Sequence, residues 1–251
     1  MLIEECKIVL NEEVGKDVFK IGIYCPSILS TASAGQFLYI KINDSYDPLL
    51  RRPFSICSLI KQKGLIILLY KVIGKGTELL AKKKIGDMLN VMGPLGKGFP
   101  ICRDKKSAII GGGIGIAPLL ELSKHLNSPD IYLGFKDDVF LLEEFKEHSK
   151  TLYLYTEDGS KGTKGFPTGM FSKNINGYKT VYSCGPKAMM AAVKDICEKN
   201  NVNCYISMEE KMGCGIGACL TCSCKTNIKG EYKKVCIDGP VFNSKEVSFY
   251  E

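Results

Sequence analysis

At 251 residues the chain is long enough to bury one large core or two to three smaller ones. With 45% hydrophobic and 24% charged residues it is ordinary globular material, and its longest apolar run, residues 65–70, falls far short of the roughly 20 residues needed to span a bilayer, so no membrane span is expected. The net charge of +7 comes from scattered basic residues, with Lys82-Lys83-Lys84 the one run, which is not the phosphate-tracking stripe of a nucleic-acid binder.

The start M-L-I-E-E-C-K has no basic region followed by an apolar stretch. A cytoplasmic location is therefore expected, with free thiols at the seven cysteines that precede the C-terminal module. Residues 1–102 read as β structure. Segments 17–24 and 36–42 alternate with period two, and 64–72 reads as a more fully buried strand. Turn chemistry at Asn11-Glu12-Glu13, Ala34-Gly35, Asn43-Asp44 and Gln62-Lys63-Gly64 separates them, which predicts a small antiparallel β-barrel. One short helix is expected through 77–80, opened by Gly74-Lys75-Gly76, whose free N–H groups suit a phosphate.

From residue 103 the pattern changes. A buried strand at 106–110 runs into Gly111-Gly112-Gly113-Ile114-Gly115-Ile116-Ala117-Pro118 and an amphipathic helix over 118–126. Strands follow at 130–135, 151–156, 179–183 and 203–208, with helices at 139–146 and 187–199. This alternation predicts an α/β doubly wound parallel sheet over 103–207, with ligands at the carboxyl ends of its strands. Gly134-Phe135-Lys136 and Ser183-Cys184-Gly185-Pro186, with Met189, stand at two further strand ends. His125 and His148 lie in polar helical segments and are expected on the surface.

The last segment, 208–251, carries Cys214, Cys219 and Cys222 in a C-x4-C-x2-C spacing, with Cys236 further on. That is the plant-type ferredoxin order of ligands for a 2Fe-2S cluster. Gly213, Gly215 and Gly217 suit a loop that brings backbone N–H groups close to sulfur. Two other uses of the cysteines compete. Structural zinc usually takes C-x2-C pairs, of which Cys219 and Cys222 form one, and a disulfide framework needs a secretory context. Cys224, two residues past Cys222, is expected to point away from the metal, leaving Cys236 as fourth ligand.

Arg52-Pro53-Phe54-Ser55, followed by the glycine-initiated helix, resembles the flavin half of the ferredoxin–NADP reductase superfamily. G-G-G-x-G-x-A-P, G-F-K and C-G-P-x-x-M resemble its nicotinamide half. The resemblance implies FAD held by Arg52 on the pyrophosphate and Ser55 at the isoalloxazine N5 edge. It places Leu69, Tyr70 and Lys71 along the adenine side and Gly76-Thr77 at the phosphate. Phe54 stands where the superfamily usually has Tyr and would keep a stacking face. Gly111, Gly112, Gly113 and Gly115 would flank the nicotinamide with Cys184, Gly185 and Pro186, Cys184 lining the pocket without acting as a catalyst. Asp137 and Asp138, after G-F-K, favour NAD over NADP.

The order of flavin barrel, nicotinamide domain and C-terminal 2Fe-2S module is similar to one family: the electron-transfer subunits of NAD-dependent (type B) dihydroorotate dehydrogenase. So are M-E-E-K-M-G-C-G-I-G-A-C-L-T-C and V-C-I-D-G-P-V-F. Membership implies FAD and a 2Fe-2S cluster as cofactors and NAD as substrate. It also implies an FMN-containing dihydroorotate dehydrogenase catalytic subunit as partner, in a heterotetramer. Met212, Ile216 and Leu220 would face that partner. Phe249 and Tyr250 lie beyond the cluster module and are not expected to cover the flavin. The chemistry on dihydroorotate would reside in the partner, so no acid–base residue is assigned here. A self-sufficient NAD(P)H-dependent flavin reductase serving ferredoxin or an oxygenase is the alternative, and a zinc-filled regulatory module a third.

Overall fold

The computed structural model describes residues 1–103 and 106–249. Six strands, β1 (Leu2–Gly15), β2 (Val18–Tyr24), β3 (Phe37–Lys41), β4 (Arg52–Ile60), β5 (Leu65–Lys71) and β6 (Met88–Leu95), close into an antiparallel barrel in the order β1-β2-β5-β4-β3-β6. Inward residues such as Ile21, Ile23, Leu38, Ile40, Ile66 and Leu68 fill its core, as period-two alternation requires. Two short helices, α1 (Pro26–Leu29) and α2 (Lys75–Ala81), decorate it.

Two expectations fail here. Asn11-Glu12-Glu13 is not a turn but the middle of β1, and the reversal comes at Gly15-Lys16-Asp17. Asn11 is a strand residue because its amide is fully used. It donates to the carbonyls of Leu80 and Lys83 (both 3.0 Å) at the end of α2, and accepts from the Tyr70 hydroxyl (3.0 Å). Nor are all seven early cysteines free. The β1–β2 register pairs Lys7 with Tyr24, which sets Cys6 opposite Cys25, and the two form a buried disulfide.

The second unit contains β7 (Ser107–Gly112), α3 (Ala117–Ser123), β8 (Asp130–Phe135), α4 (Leu142–Lys146), β9 (Thr151–Thr156), β10 (Thr163–Lys164), α5 (Thr168–Asn174), β11 (Thr180–Cys184), α6 (Lys187–Lys199) and β12 (Asn203–Ser207). Its strands are parallel in the order β10-β9-β8-β7-β11-β12, so the winding reverses between β7 and β11. The helix α5 and the short strand β10 had no signal strong enough to read from periodicity.

The C-terminal segment adds a hairpin, β13 (Ser223–Lys225) with β14 (Tyr232–Lys234), and β15 (Val241–Asn243). β15 pairs antiparallel with β12 and so extends the nicotinamide-type sheet. The division expected at residue 208 therefore cuts a hydrogen-bonded sheet, and the cluster segment is grafted onto both other units. A buried lysine reinforces the graft: Lys194 on α6 donates to the Val247 carbonyl (2.6 Å) and to Asn227 Oδ1 (3.2 Å).

The barrel and the sheet are locked by polar contacts within an apolar seam. Glu121 on α3 is buried, and its carboxylate accepts the Leu59 N–H of β4 (2.8 Å), Lys124 Nζ (2.9 Å) and His125 Nε2 (3.0 Å), while Lys124 reaches the Ser58 hydroxyl. His125 is thus a half-buried partner of Glu121 rather than a solvated residue; His148 is also half-buried. Replacing Glu121 by Ala leaves the Leu59 N–H and a half-buried cation without their acceptor. The expected cost is about 1–3 kcal/mol, read as a lower midpoint in chemical denaturation, with Glu121→Gln recovering part of it.

Candidate functional site

Three sites lie in sequence across the molecule. The first is an opening in the barrel. β4 pairs with β5 from Ile60–Leu65 to Ile56–Leu68 and no further, whereas residues 52–55 pair only with β3 and residues 69–71 only with β2. The two strands diverge and leave backbone groups of Arg52–Ser55 and Leu69–Lys71 facing one another unpaired. A strand edge without a partner needs another hydrogen-bonding group.

Arg52 lies across the mouth of this opening. Its guanidinium donates to the Leu50 carbonyl (2.5 Å) and rests on the first turn of α2, where a Cβ at Gly76 would stand 2.9 Å from Arg52 Nε. R-P-F-S and the glycine turn are therefore in contact, as an anion shared between them demands. Ser55 and Pro53 are half-buried beside it, and Lys71 is exposed.

Other residues of the expected set are more constrained. Phe54 is 7% exposed and packs edge-on against Tyr70 (5.8 Å between centroids), so it offers no open stacking face. Leu69 and Tyr70 are core residues and could meet a ligand through backbone groups alone. The Thr77 hydroxyl accepts from the Ile73 and Gly74 N–H groups (3.0 and 3.3 Å) and donates to the Gly74 carbonyl (2.9 Å). The hydroxyl shapes the turn and has no hydrogen left for a phosphate, so the expected contact at Gly76-Thr77 falls to the backbone N–H groups of the helix start.

The second site is the switch point of the sheet, where a ligand is expected to bind beyond the carboxyl ends of the strands. β7 and β11 are neighbours, with Gly111 level with Cys184. A Cβ at Gly115 would lie 2.5 Å from Gly185 Cα, and one at Gly112 would lie 2.8 Å from Pro186 Cδ. The glycine run and C-G-P, about 70 residues apart in sequence, thus meet backbone to backbone. Gly113, at φ +52°, has open space around it and is the place for a ligand to approach. Gly111 serves packing instead, against Ile116 and Leu119.

Cys184 is buried, and burial together with the charge of Glu209 pushes its thiol up to about 12, so it is a neutral lining group. Of the two aspartates, Asp138 is engaged with the barrel, accepting the Lys16 N–H (2.5 Å), and Asp137 stays exposed. The glycine turn contacts β5 and α3 contacts β4, so this site lies against the two strands that border the barrel opening.

The third site is the cysteine loop. Cys214 Sγ accepts the N–H groups of Ile216 (3.4 Å) and Ala218 (3.3 Å). Cys219 is exposed, and the Thr221 hydroxyl 3.1 Å from its sulfur, the Thr221 amide and Cys214 lower it to about 6. Cys222 and Cys236 are buried together, and burial followed by the neighbouring Cys222 raises Cys236 to about 12.

The sulfurs thus approach as two pairs, Cys214 with Cys219 and Cys222 with Cys236. Among the described residues no three of them lie within 4.8 Å of one another. A single tetrahedral zinc, with Zn–S of about 2.3 Å, would bring all four to about 3.8 Å separation. Four thiols on one loop and its neighbouring hairpin, with two backbone N–H groups on Cys214 Sγ, fit a two-iron cluster. Among the described residues the one tight trio of potential ligands, Glu4, Cys6 and Cys25, is closed by the disulfide.

Cys224 points elsewhere, buried under the hairpin beside Met208 and Phe249, with its thiol raised to about 11 by burial and then Glu210. Phe249 packs there, away from the barrel opening; Tyr250 lies outside the described residues. Ile216 (50% exposed) and Leu220 (63%) project from the loop, joined by Ile237, while Met212 is half-buried in the core and does not face outward.

Sequence reasoning missed Tyr39 altogether. This barrel residue is 1% exposed, its hydroxyl donates to the Gly213 carbonyl (2.8 Å), and its ring lies on Gly215. Burial and the neighbouring Cys214 raise it to about 12, so the hydroxyl keeps its proton. Period-two alternation placed it on the outer face of β3, but nothing local shows what covers that face.

Comparison with known proteins agrees with this layout. The oxidoreductase FAD-binding domain matches residues 5–99, and the iron–sulfur cluster binding domain of dihydroorotate dehydrogenase B matches residues 209–248. The electron-transfer subunit of dihydroorotate dehydrogenase B (NAD(+)) from Fusobacterium nucleatum is 39% identical, covering 98% of this chain and 99% of its own. The one from Lysinibacillus sphaericus is 40% identical over 95% and 96%. Among solved structures, a chain of the NADH-dependent reduced ferredoxin-NADP oxidoreductase superposes with a TM-score of 0.87 at 30% identity, covering 97% of this chain and 90% of that one. The chain belongs to the family of electron-transfer subunits of NAD-dependent dihydroorotate dehydrogenase B.

Proposed function

We infer that this chain carries electrons from a dihydroorotate-oxidising catalytic subunit to NAD+, as an oxidoreductase subunit in pyrimidine synthesis. The observation that supports this most directly is the continuity of the three sites. The cysteine loop is seated on the outer face of β3, the next strand carries R-P-F-S, and the nicotinamide-type switch point packs against β4 and β5, the strands that border the opening. When bound, FAD exchanges hydride with NAD+ and single electrons with a 2Fe-2S cluster, so one chain can couple the two kinds of transfer.

The residues contribute binding and position. Arg52, with the Gly76 turn behind it, holds the flavin pyrophosphate, and Lys71 adds a cation on the adenine side. Ser55 is aimed at the flavin edge, and the free backbone edges of residues 52–55 and 69–71 supply directional hydrogen bonds. Gly113 and Gly115 with Gly185 give a ligand direct access to backbone at the switch point, and Cys184 lines that pocket as a neutral thiol. Exposed Asp137 disfavours a 2′-phosphate, which supports NAD. Cys214, Cys219, Cys222 and Cys236 hold the cluster.

Ile216, Leu220 and Ile237, grouped around the cluster loop, form the docking face for the FMN-containing catalytic subunit, and two such pairs give the heterotetramer. Among the described residues no helix is long and apolar enough to cross a membrane. Apart from the Cys6–Cys25 disulfide and the four cluster cysteines, Cys57, Cys102, Cys184, Cys197, Cys204 and Cys224 are free thiols, which supports a reducing cytoplasmic setting. The alternative, a reductase delivering electrons to a ferredoxin or an oxygenase, draws on the likeness to the ferredoxin-NADP oxidoreductase chain.

The deciding experiment is anaerobic, dihydroorotate-dependent reduction of NAD+ by this chain, by the FMN subunit, and by the two together. NAD+ reduction by the mixture alone supports the inference; a silent mixture with an NADH-oxidising, cofactor-loaded chain supports the reductase. Four variants test the parts. Cys236→Ser is expected to abolish the cluster's visible absorption, while Cys224→Ser leaves iron and sulfide content at the wild-type level. Gly115→Ala forces the C-G-P segment back and should raise KM for NADH by about tenfold or more, with FAD content unchanged. Ile216→Glu should prevent co-elution with the catalytic subunit while NADH oxidation by dyes continues.

A further inference from the structure

Tyr39 joins the flavin strand to the cysteine loop through one side chain. It sits in the middle of β3, opposite Pro53 of R-P-F-S on β4 and Met92 on β6. Its neighbours Leu38 and Ile40 point into the barrel, so Tyr39 points out, on the same face as Pro53. There its hydroxyl donates to the Gly213 carbonyl at 2.8 Å, with the Met212 carbonyl at 3.3 Å. The Gly213–Cys214 peptide is thereby pinned immediately before the first ligand.

The ring works with the hydroxyl. Gly215, at φ +72°, lies flat on it, and a Cβ there would stand 2.7 Å from Tyr39 Cδ1. Cys214 is therefore bracketed by two residues that both rest on Tyr39. The backbone beneath is braced as well, because Arg51 Nη1 donates to the Tyr39 carbonyl (3.3 Å) and the Asn90 carbonyl (2.8 Å), and Nη2 reaches Asn90 Oδ1. A second brace joins the far end of the module, where the Lys97 N–H donates to the Gly239 carbonyl (2.6 Å). A loop held at both ends on a closed barrel cannot drift relative to the strand that carries R-P-F-S.

We propose that Tyr39 is a positioning residue that fixes the Cys214 end of the cluster loop against the flavin strand, setting the separation and local environment of the two redox centres. Its hydroxyl bonds backbone carbonyls rather than a ligand sulfur. The proposal rests on the function inferred above for its redox meaning, but the mechanical part concerns this chain's own residues. Phenylalanine at 39 keeps the ring under Gly215 and removes the donor, which separates the hydroxyl's part from simple packing.

The test compares wild type with Tyr39→Phe and Tyr39→Leu in the full chain. Hydrogen exchange read by mass spectrometry over residues 212–219 reports on loop holding whatever metal is present. It should be about three- to tenfold faster in Tyr39→Phe, the factor one neutral hydrogen bond is worth, and faster still in Tyr39→Leu. In the iron-loaded chain, release of iron to an anaerobic chelator should accelerate by a similar factor. The electron paramagnetic resonance spectrum of the reduced cluster should broaden, with flavin content and flavin reduction by NADH unchanged. Wild-type exchange in segment 212–219 of Tyr39→Phe would overturn the proposal. If wild-type chain took up zinc in place of iron and sulfide, the proposed function would fall while the exchange measurement still decided the role of Tyr39.

Discussion

Backbone meets backbone, or backbone meets a flat side chain, at the places where the three sites are assembled, and each approach is closer than a Cβ permits. Gly115 lies against Gly185, Gly76 under the Arg52 guanidinium, and Gly215 on the Tyr39 ring. Each contact joins segments far apart in sequence. A side chain at Gly115 or Gly215 would push a motif away from its partner, and one at Gly76 would displace the Arg52 guanidinium. The ligand-binding surfaces therefore depend on missing atoms as much as on the side chains present.

The rest of the architecture keeps those contacts in register. The barrel is closed, yet β4 and β5 part beyond Ile56–Leu68, so the fold supplies an opening without giving up its core. The sheet reverses its winding between β7 and β11, which frees the ends of two neighbouring strands for the glycine run and C-G-P. Glu121 fixes the two units to each other with a buried carboxylate whose acceptor capacity is shared by a backbone N–H, a lysine and a histidine. A buried charge so well supplied with donors is costly to disturb and is suited to holding one relative orientation.

The cysteine loop shows how local chemistry and tertiary context divide the work. Its spacing, its glycines and the N–H groups on Cys214 Sγ are local, and they suit a cluster of two irons. What the loop faces is not local. Cys236 is delivered by the β13–β14 hairpin, where the Val235 N–H bonds the Cys222 carbonyl, and Lys234 Nζ reaches the Gly217 carbonyl. Exposed Cys219 and buried Cys222 and Cys236 give the site one wet side and one dry side, with apolar Ile216 and Leu220 on the wet rim. A surface of that kind is suited to being covered by another protein.

The sequence by itself determined most element types, the barrel followed by a doubly wound sheet, and the motif set at 52–55, 74–77, 111–115, 184–186 and 214–236. It could do so because periodicity, glycine turns and ligand spacing are properties of short windows. Where it went astray, a distant partner had overridden the local signal. Asn11 reads as turn chemistry until the end of α2 and Tyr70 take up its amide, and Cys6 reads as a free thiol until the β1–β2 register sets it opposite Cys25. Phe54 shares its strand with Arg52 and Ser55, yet Tyr70 packs against its ring. Only the tertiary structure decided that Thr77 spends its hydroxyl on its own turn, that β15 completes the second sheet, and that Tyr39 carries the cysteine loop. Those outcomes depend on which surfaces meet, and a surface's partner is set by the packing of the whole chain.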